Sequence, residues 1–164
     1  MYEQSMALNK ASVQHWLSSE VFSLGWFVIL GTLVIAYAVW LKLLDKNRTR
    51  DILLIGSLAA VAFMMVSMVL FRQLGLVEFK IRLLPLEMPM FINAVTLSPI
   101  IIMLVQQYTS SWKGYILWCG VGFALYSFVL VPVYDSIGIA QMHNWNIFYH
   151  FVVVFCTSLI IRFG

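Results

Sequence analysis

PLEMPMFINAVTLSPIIIMLVQQY, residues 85–108, decides how the chain is read, because an apolar run long enough to cross a bilayer carries polar residues inside it. From Met88 to Tyr108 it supplies the roughly 20 residues that a transmembrane helix needs, with Asn93, Thr96 and Ser98 within it, Pro99 near its centre and Glu87 at its entrance. Polar groups in hydrocarbon are costly and turn toward protein or water. Pro99 has no N–H to donate and its ring displaces the carbonyl of Val95, so a kink is expected there, with neighbouring helices or hydroxyls satisfying the freed group. Asn93, Thr96, Pro99 and Met103 fall on one helical face, extended at the exit by Gln106 and Gln107. Two readings of that stripe stay open: polar glue between helices, or the wall of a small polar cavity.

The composition outside the stretch points the same way. Of the 164 residues, 62% are hydrophobic and 10% charged, and the mean hydropathy is +0.92, values that exclude an ordinary soluble domain. The net charge of +3 comes from Lys and Arg gathered in two inter-span loops, which suits topology and contact with lipid headgroups and gives no nucleic-acid patch. Cys119 and Cys156 lie in apolar runs as small hydrophobes, and nothing in their spacing pairs them. Residues 1–19 lack the order of a cleavable signal peptide, so the first span is expected to remain as an anchor.

Taken in order, the chain reads as a single all-α membrane domain over 1–164, a polytopic protein with five transmembrane helices, short loops and one or two interfacial amphipathic helices. The spans are expected at about 20–44, 51–71, 88–108, 114–134 and 146–163. Residues 1–19 suit an interfacial helix with Trp16 at headgroup level, or a mobile tail. Residues 74–85 are too charged to span and too apolar for a solvated loop, and their Leu76, Phe79, Leu83 and Leu84 predict an amphipathic surface helix stopped by Pro85. Thr32 with Ala36, Gly56 with Ala60, and Gly120 with Ala124 form small-xxx-small pairs for close helix contact.

Six of the ten Lys and Arg, namely Lys42, Lys46, Arg48, Arg50, Lys113 and Arg162, share one side if the N-terminus is outside. The positive-inside tendency therefore places the N-terminus out and the C-terminus in the cytoplasm. Glu20, Glu87, Asp135, His15, His143 and His150 then gather toward the outer face. Histidine with carboxylate can hold a transition metal or relay protons, which makes His143, His150 and Asp135 a candidate metal set, and His15 or His143 with His150 a candidate haem pair. The competing reading is that these histidines cap helices or bond carbonyls, since no HxxxH, HExxH or CxxC fixes a ligand geometry. No nucleophile elbow, phosphate loop or dinucleotide fingerprint is present.

The run MLVQQYTSSWKGYILW, Met103–Trp118, followed by Pro132, Gly138-Ile139 and Asn144-Trp145, resembles an uncharacterised family of small five-span integral membrane proteins of spore-forming Firmicutes. The resemblance covers roughly residues 85–163 and is strongest from Gln106-Gln107-Tyr108 to Trp112-Lys113. It implies an all-helical membrane fold in a bacterial plasma membrane, and no established activity. In that family an acid often precedes the proline of the fourth span, where this chain has Val131.

The function these features suggest is a small-ligand binding or transport-related module. Its pocket at the Pro99 kink would be lined by Asn93, Thr96 and Ser98 and gated by Glu87 and His150, with no cofactor required. An assembly subunit of a homo-oligomer or larger membrane complex, and a metal- or haem-dependent membrane enzyme, are the alternatives.

Overall fold

The computed structural model describes residues 2–85, 93–143 and 145–163. It is mostly helical, and three helices are long and apolar enough to cross a membrane: α2 (Leu24–Leu43), α3 (Thr49–Ser67) and the rod Trp112–Ser136. That rod joins α5 (Trp112–Leu125) to α6 (Val131–Ser136) through a π-helical turn, Tyr126–Leu130. Two shorter apolar helices complete the set, α4 (Ser98–Tyr108), entered through the π-helical turn Asn93–Leu97, and α7 (Ile147–Phe163). At the N-terminus α1 (Tyr2–His15) runs into a further wide turn, Trp16–Glu20.

Local chemistry sets these boundaries. Ser23 and Ser111 cap α2 and α5, their hydroxyls accepting from the backbone N–H of Trp26 at 3.2 Å and Gly114 at 3.1 Å, which satisfies donors that have no partner inside the helix. Pro99 and Pro132 each stand at the start of an α-helix that follows a π-helical turn. A proline inside a helix leaves the carbonyl four residues back without its donor and crowds it, and a widened turn gives that crowding room.

Hydrogen bonds bring the C-terminal ends of α2, α4 and α7 together, with the start of α5 beside them. The main core lies among α3, α4, α5 and α7, around Phe63, Leu97, Ile102, Cys119, Phe123 and Val154. Gly56 lets α3 close onto α4, since a Cβ there would meet the sulfur of Met103. Both cysteines are free, Cys119 buried and Cys156 exposed.

The expected amphipathic helix over 74–85 does not form. Val77–Phe79 (β1) is instead a strand, paired antiparallel with Ala140–Met142 (β2) in the register Val77↔Met142, Glu78↔Gln141, Phe79↔Ala140. Glu78, Lys80 and Gln141 are exposed while Val77, Phe79, Ile81, Ala140 and Met142 are covered, so the segment follows a period of two residues. Leucines at helical spacing lose here to a β-branched and aromatic alternation that finds a partner strand more than 60 residues on.

Candidate functional site

The two-stranded ribbon roofs a cavity of about 40 Å³ at the end of the molecule where α3 and α6 finish and α7 begins. Val77, Phe79, Ala140 and Met142 form the roof; Phe63 and Ser67 come from α3, Ala94 and Ser98 from the start of the α4 rod, and His150 and Val154 from α7. Tyr126, Val131, Tyr134 and Asp135 close it from the α5–α6 side. One water needs roughly 10–15 Å³ measured in this way. The space therefore suits a ligand of only two or three heavy atoms.

His150 is buried, and its Nδ1 lies 3.0 Å from the hydroxyl of Ser127, itself fully covered, with the ring of Tyr126 at 5.4 Å between centroids. That hydrogen bond fixes the imidazole plane at the cavity wall. Ser98 is buried at 2% exposure, next to Pro99. Asp135 is exposed at the mouth, and its carboxylate makes no ion pair or hydrogen bond among the described residues. Tyr134 is buried with its ring at the wall.

Of the residues expected to form the pocket, Ser98 and His150 do line one space, although they are 52 positions apart. Pro99 is buried behind Ser98, and Thr96 is half-buried outside the lining. Glu87 lies outside the described residues, as do Asn144 and the side chain of Asn93. The candidate metal set does not come together: His143 lies on the exposed side of the ribbon, its Nε2 3.1 Å from Oε2 of Glu78, while His150 and Asp135 face the cavity. Among the described residues no three His, Cys, Asp or Glu side chains group as metal ligands. Ser67, Tyr126, Tyr134 and Ser127 were not singled out from the sequence. The one available signal was that each puts a hydroxyl inside an otherwise apolar run.

Beside the cavity, Glu20 and Arg82 tie the N-terminal segment to the chain just after β1. The Glu20 carboxylate is buried and takes the guanidinium at 2.6 Å from Nη2, with the Arg82 backbone N–H donating to its other oxygen at 2.7 Å. Ser12 accepts from the same guanidinium at 2.9 Å, and the indoles of Trp16 and Trp26 donate to the carbonyls of Arg82 and Leu83. A two-pronged pair of this kind neutralises both charges and fixes orientation. It explains why Arg82 tolerates a part-buried position that its charge alone would resist.

At the opposite end the polar groups are spent on fastening helix ends. Gln107 donates to the carbonyl of Leu43 at 2.6 Å and accepts from the N–H of Asp45 at 3.0 Å, closing the C-terminus of α2, and Tyr108 donates to the same carbonyl. Arg162 donates to Gln106 at 2.9 Å and lies over the rings of Trp112 and Tyr115, at 5.1 and 4.4 Å from their centroids. The two glutamines that extended the polar stripe are therefore fastenings of helix ends. No family model, curated protein or solved structure matches the chain.

Proposed function

We propose that this chain is a five-span protein of a bacterial plasma membrane that binds a small ligand, as a binding or transport-related module, in the space beneath the β-ribbon. The observation that carries the reading is the cavity itself, a mostly apolar space whose lining includes residues with hydroxyl, imidazole and carboxylate groups from α3, α4, α6 and α7. Five crossings are supported by three apolar helices of spanning length together with two shorter ones, Ala94–Tyr108 and Ile147–Phe163. The basic turn Lys42–Arg50 and Arg162 at the end away from the cavity support a cytoplasmic location for that end, with the cavity outside. The bacterial address rests on the resemblance of residues 85–163 described above.

Filling the space tests the reading. Ser98→Leu in the full chain, reconstituted in nanodiscs, is expected to abolish the thermal stabilisation given by whichever members of a panel of small polar solutes stabilise the unaltered protein. Its elution as a single species should not change. A variant that keeps the same responses would contradict a ligand site here.

A second reading, an assembly subunit, is favoured by α2, of which only 17% is buried. Small-xxx-small positions such as Thr32 and Ala36 suit docking to another helix. Replacing Thr32 and Ala36 by Leu separates the two: loss of a native heteromeric crosslink with ligand responses intact favours assembly.

A further inference from the structure

We infer that the cavity takes a small cation of the ammonium class, held between the Asp135 carboxylate and the aromatic wall. The inference rests on the reading of this space as a ligand site and adds the charge and chemistry of what enters.

Charge is the first consideration. The lining holds one carboxylate, Asp135, and neither Lys nor Arg. Nothing among the described residues neutralises that carboxylate, in contrast to the two neighbouring acids at the same end, Glu20 on Arg82 and Glu78 on His143. An acid left open at the mouth of an aromatic cavity attracts positive charge and rejects negative charge, more strongly than in bulk water because the low-dielectric walls focus its field.

The walls are the second. Phe63, Phe79, Tyr126 and Tyr134 are all among the lining residues, and a cation near an aromatic ring face is attracted by the ring quadrupole. The ammonium N–H groups need acceptors, and two of the lining residues, Ser67 and Ser98, carry hydroxyls that can accept alongside the carboxylate. Size is the third, since about 40 Å³ admits a primary ammonium with one carbon and excludes amino acids or larger amines unless the ribbon moves. Val77 and Phe79 on β1 and Ala140 and Met142 on β2 cover it.

The test uses three probes of similar size on the full chain in nanodiscs: methylammonium chloride, methanol and sodium formate, each against sodium chloride of matched concentration. Binding is followed by calorimetry and thermal unfolding. Methylammonium is expected to bind and stabilise, methanol and formate not. Asp135→Asn, at an exposed position where folding is not at stake, is expected to weaken methylammonium at least tenfold, and Ser98→Leu or, if that variant is not monodisperse, Ala94→Val is expected to remove it. If methanol or formate binds as well as methylammonium and the filling variants remove it while Asp135→Asn does not, the space is a ligand site but not a cation site. Methylammonium binding that survives both kinds of variant lies elsewhere and overturns the inference. No binding by any of the three overturns it together with the pocket reading at this size of ligand.

Discussion

The two ends of the molecule spend similar side chains in opposite ways. At the end with the basic turn, Gln106, Gln107, Tyr108 and Arg162 meet backbone carbonyls, one backbone N–H and each other, so that hydrogen-bonding capacity is consumed in fastening α2, α4 and α7 together. Beneath the β-ribbon, Ser67, Ser98, His150 and Asp135 line a space, with the His150 imidazole held by the hydroxyl of Ser127. Polar residues in a membrane bundle are thus no sign of a site by themselves. What distinguishes a site is that the groups around them leave volume unfilled.

Three substitutions sharpen this contrast. The largest effect is expected where the cavity end is fastened: Arg82→Met leaves the buried Glu20 carboxylate with only the exposed His15 imidazole at 3.9 Å, and breaking a buried pair in this way costs about 3–5 kcal/mol. Thermal unfolding in nanodiscs should show it, and combining Glu20→Leu with Arg82→Leu should recover most of the loss. If the single variant unfolds like the unaltered chain, the pair is not what holds residues 80–85 in place. Next comes the closely packed side of the bundle, where Gly56→Val drives a methyl into Met103 and is expected to cost about 1–3 kcal/mol as overpacking. The addition of Met103→Ala should relieve part of that, and additive losses would show that α3 and α4 do not meet there. The smallest effect belongs to Gln107→Leu, which removes exposed and part-buried hydrogen bonds at the end of α2 and should cost about 1 kcal/mol. It should leave every ligand response untouched, since it acts at the far end from the cavity; a changed response would break the contrast between the two ends.

How much of this was legible in the sequence follows from the range of the interactions. Helices α2, α3, α5 and α7 follow from apolar runs of sufficient length, a property of each segment alone, and Ser23 and Ser111 as caps are equally local. The Pro99 region marked one wall of the cavity, and His150 stood out as an imidazole one turn inside a greasy helix. The ribbon was not legible. Its strands are three residues each and pair across more than sixty positions, so that neither segment carries a pattern long enough to outweigh helical leucine spacing. Glu20 and Arg82 likewise pair across 62 positions, and Arg82 read only as a charge that would keep its segment at the surface. Tyr126, Tyr134 and Ser67 look like packing residues in any apolar span, because the volume that makes them a wall depends on where other helices stop.

The central claim is that the Ser98 end holds a reachable space while the core around Cys119 is closed. Placing a cysteine at each position in turn, as Ser98→Cys in a chain with Cys119→Ser and Cys156→Ser, and as the native Cys119 with only Cys156→Ser, allows one direct comparison. Folded protein in nanodiscs is treated with methyl methanethiosulfonate and its mass followed over time. The thiol at position 98 is expected to be modified while Cys119 is not, and a thiol at 98 that stays as inert as Cys119 until the protein is unfolded would contradict the account.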